Sequence, residues 1–80
     1  MKYVLIDCLK DGDMFTEEFD SRMDAHHSAS STWDSLSDYD KKRRESFYVI
    51  ESADPIEESE RHFDGDVIYE VIDGVLERIK

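Results

Sequence analysis

Apolar residues in this sequence come in short runs of Val, Ile, Leu, Tyr and Phe, each soon closed by Asp, Gly, Ser or Pro. Runs of that length match strands and are too short for self-standing helices, so the chain reads as a sheet cut into segments by turns. Lys2 to Leu9 is the first segment, Asp11-Gly12 supplies a turn and Met14 to Phe19 alternates again, which predicts a β-hairpin. With Asp11-Gly12 as a two-residue turn, Leu9 faces Met14, Cys8 faces Phe15 and Ile6 faces Glu17. Val4, Ile6, Cys8, Phe15 and Phe19 then fall largely on one face, the expected core side, and Tyr3, Leu5, Leu9 and Met14 on the other. An apolar face that the chain itself leaves uncovered marks an interface. On that condition Tyr3, Leu5, Leu9 and Met14 are candidate partner-contact residues.

One segment has a helical period instead. Ser21 can accept a hydrogen bond from the third amide on, and Asp24 at that position suits the positive end of a helix dipole. From there Ala25, Ala29, Thr32, Trp33 and Leu36 recur at three- and four-residue spacing, one apolar stripe for packing on the sheet. The hydroxyl-rich run over 28–32 competes for backbone groups, so this helix depends on Trp33 and Leu36 for anchorage.

Ser37, with Asp38 and Asp40 behind it, predicts a second cap and a short helix over Asp38–Glu45. Its acids come first and Lys41, Lys42, Arg43 and Arg44 nearer its end, the order that the dipole favours. Ser46 to Ser52 reads as a strand, with Phe47, Val49 and Glu51 on one face and Tyr48 and Ile50 on the other, and Ala53-Asp54-Pro55 stops it. Ile56 to His62 suggests a turn or short helix, Phe63-Asp64-Gly65-Asp66 another turn, and Val67 to Ile72 a further strand. Asp73-Gly74 is compatible with a last hairpin to Val75–Ile79, with a helical turn, or with a frayed tail. The order β-β-α-(α)-β-β predicts one α+β domain over residues 1–80. It has two layers, a mainly antiparallel sheet and one principal helix packed on one face.

A domain of 80 residues buries only about 60% of the surface its unfolded chain exposes, so a large internal active-site cavity is not expected. The formal net charge is −11. Residues 1–40 carry three basic against ten acidic side chains and residues 45–80 three against eleven, so Lys41–Arg44 is a positive island between two acidic stretches. Neutralising phosphates takes Lys and Arg, and direct contact with nucleic acid or an anionic membrane is therefore disfavoured. The single cysteine, Cys8, permits no intrachain disulfide and fits a reducing cytoplasm. The N-terminal apolar run is too short for a signal peptide or a membrane span.

Motifs for chemistry are sparse. His26 and His27 are neighbours on the expected helix, where adjacent side chains diverge by about 100°, so they cannot easily share one ion. The relation of His62 to that pair cannot be read from sequence. Asp11-Gly12-Asp13 and Asp64-Gly65-Asp66 lack the spacing of a calcium loop and are better explained as turns. Cys8 lies mid-strand on the expected core side, where a thiol acts as a small hydrophobe. No phosphate loop, nucleophile elbow or zinc-protease motif occurs. No enzyme activity and no cofactor are expected. The run Lys41, Lys42, Arg43 and Arg44 stands out as a candidate partner-contact patch, against the plainer reading of a solvated helix face paired with Asp38, Asp40 and Glu45.

In its N-terminal hairpin, Trp33-x-x-Leu36, the charged turn, Phe47-Tyr48-Val49 and the stretch from Pro55 to Asp66, the chain resembles a group of small acidic proteins of Gram-positive gut bacteria. These are often carried in conjugative or phage-derived elements and have no assigned activity. The resemblance implies a cytoplasmic accessory protein of a mobile element. The leading expectation is a non-enzymatic protein-interaction module with a protein partner or a second copy of itself. The alternatives are an acidic mimic of nucleic acid that blocks a DNA-binding protein and a small metal-binding protein.

Overall fold

Both faces of the first strand are apolar, and the fold puts that strand inside the sheet. The computed structural model describes residues 1–53 and 65–80; His62 and the turn or short helix expected over residues 56–62 lie outside the described residues. The described elements are β1 (Lys2–Leu9), β2 (Met14–Phe19), α1 (Arg22–Ser35), α2 (Asp38–Lys42), β3 (Arg44–Ser52), β4 (Asp66–Ile72) and β5 (Val75–Arg78). The strands form an antiparallel sheet in the order β2-β1-β3-β4-β5. This is the α+β class that the sequence predicts, and of the three readings that the sequence allows for the tail it is the strand that forms.

The β1–β2 turn is one residue longer than expected. Leu9 N donates to the Asp13 carbonyl at 2.8 Å and Gly12 N to the Leu9 carbonyl at 3.1 Å. The loop is therefore Lys10-Asp11-Gly12, with Gly12 at φ 101, the positive value that a three-residue hairpin loop needs at its last position. Asp11 Oδ1 fixes the turn by accepting from Asp13 N at 3.1 Å. Cys8 consequently faces Met14, Asp7 faces Phe15 and Ile6 faces Thr16. A slip of one residue sends every side chain of β2 to the other face. Phe15, expected in the core, stands 60% exposed, and Phe19 sits opposite Tyr3.

Ser21 caps α1 as its sequence predicts, accepting from Asp24 N at 3.1 Å. Ala25, Ala29 and Trp33 are buried along one stripe and pack with Leu5, Phe47, Val49, Ile68 and Tyr69, while Tyr3 and Phe19 lie against the edge of that cluster. The helix thus covers the Tyr3 and Leu5 face of β1, not the Val4, Ile6 and Cys8 face. Val4, Ile6 and Ile50 are buried on the opposite face, with Cys8, Met14, Tyr48 and Val67 around them. Burial there raises the Tyr48 phenol above its ordinary value, and Cys8 and Glu70 act in the same direction.

The β4–β5 connection is a two-residue turn with Asp73 at φ 54 and Gly74 at φ 82, and it sets Ile72 opposite Val75. Those angles are the type I′ pair whose twist matches a hairpin. Its tip is tied to the helix layer, because Trp33 Nε1 donates to the Gly74 carbonyl at 3.0 Å.

Candidate functional site

The basic run does not form one helical face. The second helix ends at Lys42, three residues short of the expected limit, and Arg43 caps it with its amide on the Asp40 and Lys41 carbonyls. Arg44 is already the first residue of β3. Its guanidinium grips Asp7 with both branches, Nε to Oδ1 at 3.1 Å and Nη2 to Oδ2 at 3.3 Å, and Nη1 donates to the Asp40 carbonyl at 3.1 Å. The two side chains retain only 14% and 11% of their exposure. Such a fork satisfies a carboxylate that the sheet would otherwise bury unpaired. Arg43 reaches Asp11 at 3.6 Å in a half-exposed pair, and its carbonyl accepts from Lys10 N at 2.9 Å. The carboxylate partners of these arginines come from the first hairpin. The expected pairing with the Asp38, Asp40 and Glu45 side chains is replaced by contacts from more than thirty residues away.

Lys41 and Lys42 are placed differently. Neither makes an ion pair with a described residue. Lys41 Nζ lies 5.4 Å from the centroid of the Trp33 ring, and Lys42 is exposed. Both line an open cleft of about 310 Å³ at this corner of the molecule. Trp33, Phe47, Val71 and the Gly74 turn contribute its apolar and backbone wall, and Glu45 and Asp73 also reach it. The Trp33 and Phe47 rings meet at 5.2 Å between centroids, tilted by 48°, which stiffens the wall. The cleft is assembled where the end of α1, the short α2, the start of β3 and the β4–β5 turn converge.

The other candidates are scattered. Leu5 and Leu9 are each 6% exposed and Tyr3 packs beside the α1 cluster, so the condition that made them a contact surface, being left uncovered, is not met. Met14 has moved to the opposite face, beside Val4, Ile6 and Ile50, because of the hairpin register. His26 stacks on Tyr69 at 4.4 Å with the rings 9° apart, while Arg22 donates to the Tyr69 hydroxyl at 3.2 Å. His27 is exposed and Cys8 is partly buried. Among the described residues no group of three or more His, Cys, Asp or Glu side chains is placed to hold a metal, and no described helix is long and apolar enough to cross a membrane. Sequence reasoning read Trp33 and Phe47 only as packing residues and did not connect Val71, Asp73 or Gly74 with the basic run. The Asp73-Gly74 pair left a hairpin, a helical turn and a frayed tail open and gave no sign of its neighbours.

The chain matches no protein-family model, no curated protein and no solved structure.

Proposed function

We propose that this protein is a non-enzymatic interaction module, a cytoplasmic accessory protein whose protein partner docks at the cleft beside α2. The observation that carries this reading is the division of the basic run. Arg43 and Arg44 are used to hold the fold together, whereas Lys41 and Lys42, without ion-pair partners among the described residues, stand at the mouth of an apolar-walled cleft. Unpaired cations beside a concave apolar wall are what a partner with complementary charge can use for both rate and orientation. The resemblance to acidic proteins of mobile elements agrees with an accessory role and adds no residue to the site.

The test is affinity capture with the wild-type chain and with a Lys41→Glu/Lys42→Glu variant whose circular dichroism and unfolding midpoint match the wild type. A partner retained by the wild type and released by the variant is the expected result. If every captured protein stays with the variant, docking at this cleft is wrong. Capture of nucleic-acid-binding proteins that disappears at high salt and ignores the two lysines would point instead to mimicry by the acidic surface.

A further inference from the structure

Resting on the reading of the cleft as a docking site, we infer that its ligand is a short peptide segment in which one large apolar side chain is flanked by carboxylates. A volume of about 310 Å³ lies at the small end of the range for ligand pockets, with room for one or two side chains rather than a folded surface. The wall suits an aromatic or branched aliphatic anchor: Trp33 and Phe47 are themselves buried, at 5% and 1% exposure, so an incoming side chain rests mainly on the partly exposed Val71 and on what little of Trp33 stays open. Charge then sets the flanks. The two cleft cations that pair with no described carboxylate, Lys41 and Lys42, belong to α2, while the cleft's acids, Glu45 and Asp73, come from β3 and from the β4–β5 turn. The ligand carboxylates therefore lie towards α2.

The same arrangement limits how acidic the ligand can be. Screening at physiological salt confines surface interactions to about 8 Å, so the two lysines can favour one or two nearby carboxylates in spite of the net charge of −11. A longer polyanion would run past Glu45, Asp73 and the acidic remainder of the chain and be repelled. An apolar anchor with few carboxylates meets both conditions.

Trp33 is the sole tryptophan and forms part of the cleft wall, so its emission reports occupancy. The probes are capped synthetic tripeptides, Asp-Phe-Asp, Asp-Gly-Asp and Lys-Phe-Lys, and a short single-stranded oligonucleotide. Asp-Phe-Asp is expected to change the emission saturably. Loss of the ring in Asp-Gly-Asp should weaken binding about tenfold, and reversal of the peptide charge should weaken it by about tenfold as well. In Lys41→Glu/Lys42→Glu the preference should invert, with Lys-Phe-Lys the tighter ligand, a response that general damage to the fold cannot imitate. No saturable response to Asp-Phe-Asp, equal binding of Lys-Phe-Lys to the wild type, or tighter binding of the oligonucleotide would overturn the inference. A captured partner that depends on Lys41 and Lys42, found together with indifference to peptide charge, overturns the ligand class alone. Absence of any such partner removes the docking site itself.

Discussion

Lys41 and Lys42 differ from Arg43 and Arg44 in almost nothing that a sequence records, being four adjacent cations in an acidic chain, yet the fold gives the two pairs opposite employment. The lysines end a helix of five residues with none buried; Lys41 lies over the Trp33 ring and Lys42 is exposed, and neither meets a carboxylate of a described residue. The arginines follow the change from helix to strand, which turns them back towards the first hairpin and its acids, Asp7 and Asp11. Position relative to that change, rather than charge, decides which cation is structural. The chemistry of the side chains agrees. A planar fork matches a buried carboxylate and a flexible ammonium does not.

The largest expected effect is at Arg44. Arg44→Ala leaves Asp7, 8% exposed as a residue, without its counter-ion and is expected to cost about 3 kcal/mol, read as a lower urea midpoint. Arg44→Lys keeps the charge but not the fork and should lose about half as much. If Arg44→Lys matched the wild type, the contrast between the two kinds of cation would collapse. The double replacement Asp7→Leu/Arg44→Met sharpens the same point. An ion pair exchanged for apolar residues of similar bulk is often close to neutral, so the double variant should be more stable than Arg44→Ala by about 2 kcal/mol. Strict additivity of the two single changes in a thermodynamic cycle would show that the pair is not coupled.

Arg43→Ala comes next, at about 0.5 kcal/mol, because its bond to Asp11 spans 3.6 Å between side chains that are 46% and 53% exposed. Lys41→Ala should cost a similar amount through loss of its contact with the Trp33 ring, and Lys42→Ala nothing measurable. A destabilisation at Lys42 as large as that at Arg44 would place both halves of the run in the structural class.

Much of this fold can be read from local signals. The limits of β1 and β2, the Ser21 and Ser37 caps, the buried stripe Ala25, Ala29 and Trp33, and the alternation along β3 all follow from short-range patterns. What escaped depends on distance or on one-residue choices. Asp11-Gly12 serves equally as a two-residue turn or as the last two positions of a three-residue loop, and only the longer form is present. That single residue moves Met14 and exchanges the exposure expected for Phe15. β1 carries apolar side chains on both faces, so periodicity gave no means of choosing which one α1 covers. The bond from Arg44 to Asp7 spans 37 residues, and the cleft draws on four separate elements. No window along the chain contains either.

The place of β1 between β2 and β3 has a consequence for motion. Amides of Val4, Leu5 and Ile6 are flanked by strands on both sides and covered on both faces, so deuterium should enter there only on the largest opening events. The five residues of α2 bury nothing and should exchange among the first. The cleft therefore joins a slowly breathing wall, rooted in Phe47 and the sheet, to a rim that opens and closes many times while the wall stays shut. A bound segment would show itself first as protection of that rim.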